Sequence, residues 1–379
     1  MSSIYFDNAA STALCEAAAE QMNHISLAFY GNPSSVHDMG TAAATTIAYA
    51  AEAVADVLNV SNMDIIWTSG GTEANNLAIL GSCKAAPKTH RKIITNLAEH
   101  PSVLEPFKHL AANGFEMVVV PLSQDGVIDA RYLEDAVCDK TALVSMMHVN
   151  NVTGVMQNVA LLGEIIKRKN PGTYFHVDGI QSFCKHAVNL KNIDLYSMSG
   201  HKIHGPKGVG ALAVKKDLKL APLFYGGGHQ QGLRPGTENT AGIAGFAAAA
   251  ENYRASMQAN SAAVQNLKAA FLSGVAAIEN TQVNGGAASP YIVNVSFLGV
   301  KSETLLNALQ EQGIYISAGA ACHGSKRSDH VLEQYGAAKD VAESSIRFSF
   351  SPENTTAEVS RCIEVLKESV AYLRKFKKI

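Results

Sequence analysis

Apolar residues in the first two-thirds of the chain come in short, continuous runs. Ile65-Ile66-Trp67-Thr68, Lys92-Ile93-Ile94-Thr95, Met117-Val118-Val119-Val120, Ala142-Leu143-Val144-Ser145-Met146 and Tyr174-Phe175-His176-Val177 each read as a strand. Runs this short, rich in β-branched residues and lacking polar alternation, belong to strands buried on both faces. Between them lie helix-like stretches at 42–58, 103–112 and 161–169. Such alternation predicts an α/β domain around a mostly parallel sheet. Ligands bind these sheets outside the carboxyl ends of the strands, so the residues that follow each run carry the interest.

Beyond residue 240 the pattern changes. The Ala-rich stretch 241–278 reads as one long helix, because alanine is the strongest helix former. A strand at 291–298, a helix at 303–312 and a strand at 344–351 follow, an α+β order that predicts a second, smaller C-terminal domain. No internal repeat is present.

Composition narrows the function classes. In 379 residues, 31 Lys and Arg face 33 Asp and Glu, so no global field favours nucleic acid or an anionic membrane, and neither is expected as a direct partner. The basic stretch 367–378 reads as the solvated face of a terminal helix. Cysteines at 15, 83, 138, 184, 322 and 362 include no C-x-x-C pair, which argues against a disulfide scaffold. All but Cys322 are expected in helical or strand-like surroundings. The opening MSSIYFDNAAST has neither a basic nor an apolar signal region, and no apolar stretch approaches the roughly 20 residues that span a bilayer. A cytoplasmic, reducing location is the expectation.

Three segments carry candidate chemistry. In Ser197-Met198-Ser199-Gly200-His201-Lys202-Ile203-His204-Gly205, a lysine after a strand, beside Gly, Ser and His, suits an imine-forming amine with phosphate donors next to it. A plain surface lysine is the alternative. His201 and His204 at i, i+3 admit a metal, but no carboxylate pattern accompanies them, and no metal site is expected. In His176-Val177-Asp178-Gly179-Ile180-Gln181-Ser182, the carboxylate at a strand end can pair with a protonated pyridine nitrogen or cap a helix. Thr68-Ser69-Gly70-Gly71-Thr72-Glu73-Ala74-Asn75-Asn76 follows a strand and opens a helix, a place where free N–H groups and the dipole attract phosphate. It lacks the lysine of a P-loop.

These segments stand in one order with others: YFDNAAST at 5–12, GNPSS at 31–35, AEHPSV at 98–103, MHVNNVTG at 147–154, GGGHQQGLRPGTEN at 226–239, SAGAAC at 317–322 and SSIRFS at 344–349. Together they resemble the class V aminotransferase-fold enzymes, most closely the cysteine desulfurases, over nearly the whole chain. The resemblance implies a pyridoxal 5'-phosphate (PLP) dependent transferase fold of the aspartate aminotransferase type, fold type I. A large cofactor-binding domain would span 14–253, and a small domain would combine 1–13 with 254–379. It implies L-cysteine as substrate, L-alanine as product, a homodimer, and a sulfur-acceptor protein, either an iron–sulfur scaffold or a tRNA-thiolation protein.

Roles follow from the same resemblance. Lys202 would hold the cofactor through its amine and later shuttle the Cα proton. Asp178 would face the pyridine nitrogen, Gln181 the phenolic oxygen, and His100 would stack on the ring. Gly71, Thr72, Ser199 and His201 would cradle the phosphate, and Thr237 would complete the cradle from across a dimer interface. Asn151 would lie near the ring oxygen and the substrate carboxylate, which Arg347, at a strand end, would grip. Cys322, in a run of small residues that reads as a mobile loop, would take the sulfur as a persulfide, with His323 beside it to stabilise the thiolate.

Two departures are visible. Val152-Thr153 stands where the family usually has an acidic residue and Ile, and the stretch His323–His330 is basic and His-rich where the family continues with Thr and small residues. The second leaves the acceptor open. A selenocysteine lyase, a cysteine or cystine C–S lyase and a small-substrate aminotransferase share the fold, and a binding-only protein on the same scaffold is a further alternative. Cys322 speaks for the desulfurase. Intact Lys202, Asp178, His100, Arg347 and Cys322 speak against the binding-only protein.

Overall fold

The computed structural model describes residues 3–286, 288–318 and 328–376. The chain opens with β1 (Ile4–Tyr5), α1 (Glu16–Ala28) and α2 (Asp38–Leu58). It then alternates through β2 (Met63–Thr68), α3 (Gly71–Ala85), β3 (Lys92–Thr95), α4 (Pro101–Ala112), β4 (Glu116–Val119), α5 (Ala130–Ala136), β5 (Thr141–Met147) and α6 (Val159–Lys169). Strands β6 (Tyr174–Asp178), β7 (Leu195–Ser199) and β8 (Gly210–Lys215) complete a seven-stranded sheet of order β2-β8-β7-β6-β5-β3-β4.

The pairs from β7 across to β4 are parallel, and β8 runs antiparallel to both β7 and β2. Strands β2, β3, β5, β6 and β7 therefore all end on one edge. Every residue of β5 and β7 is buried, as expected of strands covered on both faces. Each apolar run named above lies in this sheet, shifted by at most a residue or two at its ends.

The Ala-rich stretch is two helices, not one. Helices α7 (Thr240–Ala255) and α8 (Met257–Ala276) break at Ser256, whose φ of −108° and ψ of 9° are not helical. Alanine propensity cannot register this, because the break follows a change of packing partner. Helix α7 lies on α1 and α2, so close that a Cβ at Gly245 would fall 2.5 Å from Met22 Cγ. Helix α8 buries only the stripe Val264, Leu267, Phe271 and Val275, and packs on α12 (Thr356–Arg374).

The remaining elements are β9 (Thr281–Asn284), β10 (Ile292–Phe297), α9 (Ser302–Glu311), β11 (Ile314–Tyr315), β12 (Ser317–Ala318), α10 (Ser328–Gln334), α11 (Lys339–Glu343) and β13 (Ser345–Ser349). A four-stranded antiparallel sheet has the order β12-β13-β10-β9, and β1 pairs with β11. Residues near the N-terminus thus join the C-terminal elements. The Ser349 amide donates to the Phe6 carbonyl at 2.7 Å, and Phe6, Phe271, Phe348 and Phe350 pack edge-on or tilted together.

Two expectations about single residues change. Arg374, in the basic terminal stretch, is a structural tie: its guanidinium donates to the carbonyls of Leu298, Glu279 and Asn280. Cys83 and Cys362 lie in helices, but Cys15 precedes α1, Cys138 is in a loop, and Cys184 sits in a turn at φ 61°. Turn geometry set by neighbours, not the residue type, decides those three. Cys322 and its loop lie outside the described residues. Among the described residues no helix is long and apolar enough to cross a membrane.

Candidate active site

The site forms where the strand ends converge. Strand β7 ends at Ser199, and a single tight turn, Gly200–Lys202, carries Lys202 over the sheet edge. Its Nζ donates to the carbonyls of Ala9 and Ala10 at 2.6 and 2.7 Å. The next strand over, β6, ends at Asp178, paired in register with Ser197. On the other side of the sheet, β2 runs into Gly70, whose φ of 154° few side chains adopt, and α3 begins at Gly71. A Cβ at Gly71 would fall 2.2 Å from the Ile180 side chain and 3.5 Å from Ser199 Cβ, so these three segments touch. Gly71 and Ser199 are buried, while Thr72 is exposed beside them on the first turn of α3. Free N–H groups and a hydroxyl at a helix start form an anion cradle.

Strand β3 leads through a short turn to His100, the N-cap of α4, whose Nδ1 accepts from the Ser102 amide at 3.1 Å. Strand β5 leads to the Asn150–Asn151 turn, and the Asn151 carbonyl accepts from Arg347 Nη1 at 2.8 Å. Arg347 is not at a strand end: it is the central residue of β13, 7% exposed, with Nη2 on Asp7 Oδ1 at 2.7 Å and Nε buried without a partner. Its free donors point to a further acceptor. His201 Nδ1 lies 3.3 Å from Ser11 Oγ, and His204 bonds the Ala13 carbonyl and Ser351, so the two rings are engaged separately.

Asp178 is the clearest anomaly. It is 2% exposed and accepts hydrogen bonds from Asn75 Nδ2 at 2.8 Å and the Ile180 amide at 3.0 Å, yet among the described residues no cation lies within ion-pair distance. Burial pushes its carboxyl above the usual Asp range. Burial, then the Arg347 and Lys185 charges, lowers the Lys202 amine to about 7. Burial likewise lowers the His100 imidazole, and lowers His201 to about 4 with help from nearby lysines. Gln181, also buried, gives one amide proton to the Ala9 carbonyl at 2.9 Å and leaves its Oε1 unpartnered.

A buried carboxylate lacking a cation, a neutral-leaning amine, an anion cradle and an amide with spare capacity fit pyridoxal phosphate group by group. Thr237 does not join them within this chain. It is exposed on a loop that Arg234 ties to Glu73 of α3 at 3.0 Å.

The Asp178 environment gives a testable sign. A carboxyl that titrates higher folded than unfolded stabilises the fold at low pH, and that contribution is lost as pH rises through its folded value. Asp178→Asn in the cofactor-free chain is therefore expected to melt above wild type by a margin that grows as pH rises above the ordinary Asp range in calorimetry. With cofactor, the same variant is expected to lose roughly 10²-fold or more in turnover.

Comparison with known proteins agrees with this geometry. The family description "Aminotransferase class-V" matches residues 4–362. A protein named putative cysteine desulfurase IscS 1, from Bacillus subtilis, is 38% identical over 98% of this chain and 100% of its own length. Cysteine desulfurase IscS of Methanosarcina thermophila is 35% identical over 98% of this chain and 93% of its own. The chain belongs to the class-V aminotransferases, among the cysteine desulfurases. A solved structure named NifS-like protein superposes with a TM-score of 0.92 at 35% identity, covering 98% of this desulfurase-family chain and 100% of that one.

Sequence reasoning assigned no role to Asn75, Asp7, Ser102 or the Ala9 and Ala10 carbonyls. Asn75 and Asp7 stand in the TEANN and FDNAAST strings, so the signal was present, but only the fold shows that they support Asp178 and Arg347.

Proposed function

We propose that the protein removes sulfur from L-cysteine, releases L-alanine, and holds the sulfur on Cys322 as a persulfide for transfer to an acceptor protein. The observation that carries this reading is the unpaired, buried Asp178 at the same sheet edge as Lys202. Pyridoxal phosphate, when bound, supplies an electron sink for the bond broken at the substrate Cα.

The chain's own residues do the rest. Gly71, Thr72, Ser199 and His201 hold the phosphate, Asp178 and Gln181 the polar ring atoms, and His100 a ring face. Arg347, steadied by Asp7 and the Asn151 carbonyl, offers its unpartnered Nε to the substrate carboxylate. Lys202, lowered to about 7, is near-equally neutral and charged at physiological pH, the range in which proton transfer at Cα is most effective. The Cys322 thiolate then forms an S–S bond with the substrate sulfur while the C–S bond breaks, its electron pair staying on carbon, which takes a proton to become alanine. Two thiols thus become one persulfide and one C–H bond, with no external oxidant.

We read residues 14–253 as the cofactor-binding unit and 1–13 with 254–379 as the unit that carries Arg347 and Cys322. The pairing of β1 with β11 supports that assignment of the first residues. We also read the protein as a homodimer in which the exposed Thr237 serves the second subunit's phosphate cradle. An iron–sulfur scaffold and a tRNA-thiolation protein both remain open as the acceptor.

Product analysis tests the reading. With L-cysteine and reductant, the loaded enzyme is expected to give alanine and sulfide in equal amounts. Pyruvate and ammonia in place of alanine, with sulfide still released, would establish a C–S lyase instead, and turnover confined to selenocysteine a selenocysteine lyase.

A further inference from the structure

The loop that carries Thr237 is held in an unusual shape. Gln230, Gln231 and Gly232 follow one another at φ 47°, 58° and 77°, a region that residues other than glycine rarely enter. Such backbone persists where surrounding contacts fix it, and it gathers around functional sites. Two side chains fix it here. Gln230 Oε1 accepts from the Trp67 amide of β2 at 2.9 Å, while its Nε2 donates to Glu238 Oε1 at 3.2 Å. Arg234 Nε donates to Glu73 Oε1 at 3.0 Å. Thr237 stands exposed between Arg234 and Glu238, the two ends of this bracing.

Both ties lead to the segment that forms the chain's own phosphate cradle. Trp67 lies in β2, just before the Ser69–Thr72 turn, and Glu73 lies on the first turn of α3. The second oxygen of Glu73, Oε2, accepts from the Ser69 amide at 2.8 Å. One carboxylate thus grips the cradle turn with one oxygen and the Thr237 loop with the other. The Glu73 side chain is 11% exposed and that of Arg234 27%, so water screens the pair little. Burial alone would raise the Glu73 carboxyl, but hydrogen bonds from Ser69 and Arg234 outweigh it and hold it below the usual range. The tie is an ion pair at neutral pH.

We propose that Glu73 is a positioning residue for both phosphate cradles of the dimer. It fixes the Ser69–Thr72 turn in its own subunit and, through Arg234, the Thr237 loop that serves the other. The inference rests on the homodimer reading of Thr237 given above. It goes further by making cofactor binding at each site depend on a carboxylate of the opposite subunit.

Heterodimers of the full-length chain, purified through two different tags, place each change in a chosen subunit. One subunit carries Lys202→Ala, so that borohydride fixes cofactor only on Lys202 of the other. Peptide mass spectrometry of the fixed product across a cofactor titration then gives the half-saturation of that single site. Adding Glu73→Gln to the Lys202→Ala subunit is expected to raise this half-saturation about fivefold or more. Arg234→Met in the same subunit is expected to do the same, and the two together no more than either alone. In the cofactor-free homodimer, Glu73→Gln is expected to speed backbone hydrogen exchange in the peptide 226–239. An unmoved half-saturation with Glu73→Gln, where Thr237→Ala in the same subunit raises it, would overturn the inference and leave the homodimer reading standing. Thr237→Ala without effect would defeat that reading, and the inference with it. Should the Glu73 variant fail to assemble, Arg234→Met decides by the same criterion.

Discussion

Lys202→Ala is expected to lower alanine formation from L-cysteine by at least about 10³-fold, the size of effect that follows loss of a positioned acid–base group. The amine lies at the end of β7 in hydrogen-bond contact with the Ala9 and Ala10 carbonyls, within the fields of Asp178 and Arg347. No other described lysine shares that place: Lys185 is buried against Tyr291. Partial rescue by small primary amines is expected, because they can supply the missing base without refilling the side chain. Activity within tenfold of wild type would remove Lys202 from the chemistry.

Cys322→Ala is expected to abolish alanine formation with cofactor absorbance intact, a loss of roughly 10³-fold or more that follows removal of the proposed nucleophile. The thiolate is the reactive form, and burial works against it elsewhere in the chain. It pushes the Cys83 thiol up to about 12 and raises Cys184 and Cys362 further. Cys15 precedes α1, where its amide donates to the His204 carbonyl at 2.9 Å, and Cys138 hydrogen-bonds Thr141 at the start of β5, the end of the strand away from Lys202. Retention of alanine formation in this variant would show that sulfur leaves by a route without Cys322, whereas pyruvate and ammonia in place of alanine would put the C–S lyase reading in its place.

The parts of the fold set by local sequence were readable in advance. Short apolar runs became the central strands, and the residues just past them, Gly71, His100, Asn151, Asp178 and Lys202, gathered at one edge because parallel strands end together. The parts set by distant partners were not. Asp7 and Arg347 are 340 positions apart, and neither residue's surroundings announce that Arg347 lies mid-strand and buried. The break at Ser256 depends on α7 and α8 facing different neighbours, which no run of alanines records.

The central claim is that substrate sulfur passes onto Cys322. The most direct test is one turnover of the loaded enzyme with sulfur-labelled L-cysteine, without reductant, followed by mass spectrometry of the peptide that contains Cys322. The account predicts one labelled sulfur atom on Cys322 for each alanine released, discharged when reductant is added. Alanine formed with the label free in solution from the outset, or bound at any other cysteine, would contradict it.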